Sequence, residues 1–284
     1  MNQTEFWNLL FDLGVLSNLI YSNFILNPQK QHPIPFNQII LEPSFQIPCI
    51  INQLKLFQTH NPKGMAVKYF CNSADVQAAI TKHDTKKQFC LVFRGTESIT
   101  DCKFNLLYKK CHLENNIYIR KGIYIQIYQD DLLNQIKTAI SSYIQNYPNW
   151  TWNISGHSIG GSLAIYSGYI FAKQWPNIKW TIATFGTPRV GNKSFKNEFN
   201  QLKNIIVYRI SHGRDPVPVL PKLGYCHVGQ KIHCKLPFCL SSKKQRKWII
   251  YPPEKHTKHI YFRCWNLTDH LILNYIDALQ SQIS

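Results

Sequence analysis

Near the start of the chain, apolar residues recur every three or four positions: Phe6, Leu9, Leu10, Leu13, Leu16 and Ile20. That spacing predicts an amphipathic helix over 4–24. Over 27–62 the period dissolves among six prolines, which predicts an irregular wrap over a surface. Residues 66–71 and 76–80 read as strands. Phe89-Cys90-Leu91-Val92-Phe93 is a continuous apolar run ended by Arg94-Gly95-Thr96, the pattern of a strand buried on both faces. A helical period then runs over 123–147, with Ile136, Ile140, Tyr143 and Ile144 in register, and Pro148 stops it. Further strands are predicted over 179–185 and 205–210, a proline-rich segment follows, and a helix over 269–279 closes the chain. Alternation of strands and helices predicts an α/β fold, a mostly parallel central sheet with helices on both faces. No repeat or domain boundary interrupts 1–284, so one domain is expected, with the helix and wrap of 1–62 attached to it.

One stretch departs from simple periodicity. Asn153-Ile154-Ser155-Gly156-His157-Ser158-Ile159-Gly160-Gly161 reads as a strand, a tight turn and a helix that starts at once. Gly156-x-Ser158-x-Gly160 has the spacing of a nucleophile elbow, in which strand and helix pass too close for a Cβ. Such a turn lifts a serine Oγ clear of the backbone beside the unpaired N–H groups of a helix N-terminus.

A serine hydroxyl needs a base to take its proton and an acid to orient that base. On a parallel sheet these partners follow the serine in the order acid, then histidine. Asp215, in Ser211-His212-Gly213-Arg214-Asp215-Pro216-Val217-Pro218, is the candidate acid, and His270 in Thr268-Asp269-His270-Leu271 the candidate base. Asp269 is set aside, because adjacent side chains do not readily face each other. The backbone N–H groups of Ile159 and Thr96 are candidate donors to an oxyanion, a role in which one lost donor costs about 10²–10³ in rate.

Composition adds charge to this picture. With 32 Lys+Arg against 15 Asp+Glu the chain carries +17, which favours anionic partners without fixing a fold. The basic concentration Lys243, Lys244, Arg246 and Lys247 is a candidate contact with an anionic membrane surface. No nucleic-acid motif accompanies the charge, so a nucleic-acid partner is not expected. Nine scattered cysteines without a CxxC pair suit reduced thiols, and Cys226, His227, His233, Cys234 and Cys239 lack the spacing of a metal finger. No metal site is expected. The first basic residue is Lys30, and no run of about 18 apolar residues occurs, so neither a secretory leader nor a span is read here and the expected location is cytoplasmic. Oligomeric state has no signature.

The motifs together resemble those of class 3 lipases, the fungal-lipase-like branch of the α/β-hydrolase fold. The matching segments are Val92-Phe93-Arg94-Gly95-Thr96, Arg120-Lys121-Gly122, the elbow, Thr184-Phe185-Gly186-Thr187-Pro188-Arg189-Val190-Gly191-Asn192, Asp215-Pro216-Val217-Pro218, His227-Val228-Gly229 and Asp269-His270-Leu271. The resemblance implies Ser158 as nucleophile, Asp215 as orienting acid, His270 as base, and Thr96 with Ile159 as oxyanion hole. It further implies cofactor-free hydrolysis of acylglycerol or phospholipid esters through an acyl-enzyme. A lid is implied after Thr96, where Ile99, Cys102, Phe104 and Leu106 supply the apolar positions, with Cys102 standing where family lids often carry tryptophan. The alternative is a catalytically idle lipid-binding or scaffold protein that retains the fold.

Overall fold

The computed structural model describes residues 1–21, 66–95, 109–236, 246–252 and 265–283. The wrap of 27–62, Thr96, the lid positions Ile99, Cys102, Phe104 and Leu106, and Lys243 and Lys244 lie outside the described residues.

An eight-stranded sheet organises the chain. Its strands are β1 (Ala66–Cys71), β2 (Gln77–His83), β3 (Gln88–Phe93), β6 (Thr151–His157), β7 (Trp180–Phe185), β8 (Ile205–His212), β9 (Gln230–Lys235) and β10 (Lys247–Ile250), in that spatial order. The five central strands β3, β6, β7, β8 and β9 run parallel, and the outer pairs are antiparallel. A separate hairpin joins β4 (Lys110–His112) to β5 (Tyr118–Arg120).

Helices cover both faces. Helices α2 (Lys121–Tyr128), α3 (Leu132–Asn146), α4 (Ile159–Gln174) and α5 (Lys193–Phe199) lie on one side. There Trp152, Ile154, Leu163, Phe171, Trp180, Ile182 and Phe195 form a continuous core. Helices α1 (Gln3–Leu19) and α6 (Ile272–Gln280) lie on the other, where Leu10, Leu16, Phe185, Ile210, Tyr275 and Ile276 pack together. Alternation along β6 explains the division: Trp152 and Ile154 point to the first core, while Ser155 and His157 face α1 and α6.

Helix α1 starts with a capping box, in which Asn2 and Glu5 each accept the other's backbone N–H at 2.8 and 2.9 Å. Its second half is buried from Leu13 through Leu19, including Ser17 and Asn18, so the expected amphipathic helix is enclosed at that end. Ser17 settles the polar cost by bonding the Leu13 carbonyl at 2.8 Å and the Ser155 hydroxyl of β6.

Two expected elements differ. The single helix over 123–147 is two helices, because Asp130 and Asp131 take left-handed backbone (φ 53° and 57°) and break the ladder between α2 and α3. Aspartate tolerates that region where most residues do not. The closing helix likewise starts later: Leu267–His270 form a 3₁₀ turn, and α6 begins at Ile272.

Candidate active site

Strand β6 ends at His157, and the chain turns into α4 through Ser158, whose φ of 56° and ψ of −125° lie outside the ordinary regions for a residue with a side chain. Such conformations cost roughly 1–3 kcal/mol and persist only where surroundings enforce them. The surroundings here are tight. A Cβ on Gly160 would run into the carbonyls of Phe93 and Arg94, so the end of β3 lies directly against the first turn of α4. That first turn leaves backbone N–H groups without partners inside the helix, and the N–H of Ile159 is the first of them after the serine.

The three sequence-predicted side chains meet. His270 Nε2 lies 2.9 Å from Ser158 Oγ, and His270 Nδ1 lies 2.8 Å from Asp215 Oδ2. His270 Nδ1–H donates to the carboxylate, which leaves Nε2 to accept from the serine. All three are buried, His270 at 1% exposure and Asp215 at 7%. Asp215 Oδ1 accepts the N–H of Val217 at 2.8 Å, so its own loop sets its orientation.

Asp269, set aside as a partner for the imidazole, has a different position. Its Oδ2 accepts the Arg214 N–H at 2.7 Å, and its Oδ1 accepts from Asn266 at 3.1 Å. It therefore stitches the loop carrying His270 to the loop carrying Asp215.

Sequence reasoning missed three neighbours. Tyr275, one turn into α6 and fully buried, donates to Asp215 Oδ2 at 2.5 Å, the same oxygen that accepts from His270. Burial, and then the adjacent carboxylate, push its phenol well above the usual tyrosine range. His157 lies under His270 with ring centroids 4.6 Å apart. Its Nε2–H donates to the His270 carbonyl at 2.7 Å and its Nδ1 accepts from the Tyr21 hydroxyl at 2.8 Å. Burial, and then the charge of His270, hold His157 well below the usual histidine range, so it stays neutral. Tyr21 is the third, at the end of α1. Only the period-two alternation that points His157 to the α1 side hinted at this layer.

Of the basic concentration, Arg246 is engaged within the fold: it donates to the Asp277 carbonyl at 2.9 Å and to Asp277 Oδ2 at 2.5 Å. This corrects its expected place in a membrane contact. Lys247 is exposed at the start of β10. Of the cysteine and histidine cluster, His227 bonds the Pro218 carbonyl at 2.7 Å and His233 the Ser211 hydroxyl at 3.0 Å. Among the described residues no group of three His, Cys, Asp or Glu side chains is arranged to hold a metal ion.

Comparison with known proteins bears on this arrangement. The profile of the family Lipase (class 3) matches residues 90–225, which contain the elbow and Asp215. That stretch is just under half of the chain, and over it the chain is similar to the class 3 lipases. Secreted mono- and diacylglycerol lipase 1 of Fusarium solani is 30% identical over 158 residues, 54% of this chain and 46% of that protein. A lipase of Rhizopus niveus is 29% identical over 179 residues, 59% of this chain and 44% of that protein. The chain thus spans less than half the length of these curated relatives. The crystal structure of a lipase from Rhizopus microsporus var. chinensis superposes with a TM-score of 0.72 at 19% identity, over 93% of this chain and 85% of that one. This likeness shows the α/β-hydrolase fold.

The expected cytoplasmic location is overturned by the same comparison. It rested on the composition of the first residues, whereas the Fusarium solani relative is named as a secreted protein. Among the described residues no helix is long and apolar enough to cross a membrane.

Proposed function

We propose that this chain is a class 3 lipase-type enzyme that hydrolyses carboxylic esters of lipids through an acyl-enzyme. The observation that carries the reading is the unbroken hydrogen-bond chain from Ser158 through His270 to Asp215. Ser158 Oγ attacks the ester carbonyl as His270 Nε2 takes its proton. The oxyanion is received by the N–H groups of Ile159 and Thr96. The C–O bond then breaks, and His270 returns the proton to the departing alcohol. Water next enters, its oxygen bonding the acyl carbon as His270 takes one of its protons; the bond from that carbon to Ser158 Oγ then breaks, His270 returns the proton to Oγ and the acid leaves, with Asp215 stabilising the imidazolium in both halves. The secreted relative's name supports an acylglycerol as the ester.

The preference for a lipid over a small soluble ester rests on the rim. Trp265, Leu267 and Leu271, between 49% and 55% exposed, flank His270 on both sides in sequence. Exposed apolar side chains beside a reacting group favour an apolar phase. With the chain's excess of 17 positive charges, we read Lys243, Lys244 and Lys247 as auxiliary contacts to an anionic lipid surface. We also read residues 1–284 as one functional unit, since α1 packs on β6 and supplies Tyr21 to the site.

Purified protein assayed on p-nitrophenyl esters, emulsified triolein and phospholipid vesicles tests the reading, with Ser158→Ala beside it. The variant is expected to lose about 10⁴–10⁶ in turnover while keeping its fold. Equal activity in both proteins rejects it. Sedimentation with anionic vesicles is expected to fall when the three lysines are neutralised; unchanged sedimentation removes the auxiliary contact.

A further inference from the structure

Helices α2, α3 and α4 and the turn between β4 and β5 border a cavity of about 520 Å³, to which no residue of the serine centre contributes. Pockets for small organic molecules usually measure roughly 300–1,000 Å³. Its deep side is made by Tyr166 and Tyr169 on α4, 2% and 5% exposed. Tyr124 and Tyr128 on α2, with ring centroids 4.5 Å apart, supply a second aromatic wall. Leu113 and Ile170 complete the apolar surface. Tyr166 follows Ser158 along the same helix by two turns, about 12 Å at 1.5 Å per residue.

Two lysines open onto this cavity, and their circumstances differ. Lys173 Nζ lies 2.8 Å from Glu198 and 3.6 Å from Glu114, and 5.1 Å over the Tyr169 ring. Its charge is answered twice. Lys137, half-buried on α3, forms no ion pair among the described residues. The phenols add a second spare donor. The hydroxyl oxygens of Tyr128 and Tyr166 lie 3.4 Å apart, so only one of the two can donate to the other. The remaining O–H is left to bond whatever enters the cavity. Burial, and then the bond with Tyr128, raise Tyr166 far above the usual tyrosine range, so it keeps its proton.

An ammonium and a hydroxyl that both lack an acceptor, set at one cavity, match a carboxylate. The four rings favour a ring attached to it, since aromatic pairs attract edge-to-face or offset beyond the area they bury. A flexible acyl chain would lose rotamer freedom on entering, which a rigid ring does not. We propose that this tyrosine-lined cavity binds an aromatic carboxylate, with its ring among the tyrosines and its anionic end on Lys137 and the Tyr128–Tyr166 hydroxyl pair. The site does not rest on the ester-hydrolase reading, because Ser158, Asp215 and His270 take no part in it.

Calorimetric titration of the full chain with 3-phenylpropanoate tests it. Saturable one-to-one binding is expected. The matching alcohol, 3-phenylpropanol, keeps the ring without the charge, and octanoate keeps the charge without the ring. Each is expected to bind at least about tenfold more weakly than the aromatic acid. Lys137→Met is expected to weaken the acid by about tenfold to a hundredfold while leaving the alcohol unchanged. Tyr166→Phe keeps the ring and removes the buried hydroxyl, so the acid is expected to bind severalfold more weakly; it also guards against a folding failure of the first variant. Absence of saturable binding, or equal affinity for acid and alcohol, overturns the site. So does an affinity for the acid that either variant leaves unchanged, which would place the acid elsewhere on the chain. Octanoate binding more tightly than the aromatic acid assigns the cavity to acyl chains and overturns the aromatic class.

Discussion

Removing one oxygen atom from Tyr275 tests how the acid loop is held. In Tyr275→Phe the ring stays in its slot beside Phe185 and His212, so packing is nearly conserved. What is lost is a 2.5 Å donation to Asp215 Oδ2 at a fully buried site. Hydrogen bonds to charged acceptors contribute about 1.5–3 kcal/mol. The variant is therefore expected to unfold roughly 3–10 °C lower. The carboxylate keeps its bonds from His270 Nδ1 and the Val217 N–H, but its charge is less dispersed and it binds an imidazolium more strongly. Loosened orientation should lower kcat by about tenfold, equivalent to ~1.4 kcal/mol. Calorimetry and initial rates on a soluble ester read both. A variant with parental melting temperature and parental kcat refutes the idea that this phenol holds the acid.

Two further perturbations address the same site. Gly186→Ala would force a side chain onto a backbone at φ +60°, with its Cβ 2.8 Å from Asp215 Oδ2 and 2.9 Å from His270 Cε1. The acid–base pair must then separate, so a loss of more than about 10² in kcat/KM is expected, and near-parental activity would show that this contact is not limiting. The second concerns pH. His157 and His212 both sit below the usual histidine value because of burial, so the unfolded chain takes up their protons first. Their stabilising contribution is complete above about pH 6.5 and is lost as pH falls towards the folded values, at ~1.4 kcal/mol per unit per histidine. Urea midpoints at pH 7.5 and pH 5 measure this; equal midpoints would mean that neither ring stays neutral in the fold.

The parallel core of the sheet was legible because buried parallel strands are written as apolar runs, as in Phe89–Phe93, and the elbow because its glycines answer a steric demand. Ser158, Asp215 and His270 could be named from residue type and chain order alone. The helix break at Asp130 and Asp131 was not legible, since apolar periodicity continues across it while the backbone reverses hand. Strands β9 and β10 were passed over because Gln230–Lys235 and Lys247–Ile250 mix lysine and histidine with apolar residues at a sheet margin. The layer of Tyr21, His157 and Tyr275 beneath the base depends on packing between α1, β6 and α6, elements far apart in the chain.

The claim on which the enzyme reading turns is that the hydroxyl of Ser158 is activated by His270. Incubation with a fluorophosphonate followed by peptide mapping addresses it most directly, because the activated oxygen displaces fluoride from phosphorus and leaves a covalent mass on one residue. A single adduct on the peptide containing Ser158, absent after His270→Ala, is the predicted result. No adduct, or one that forms equally well without the imidazole, would contradict it.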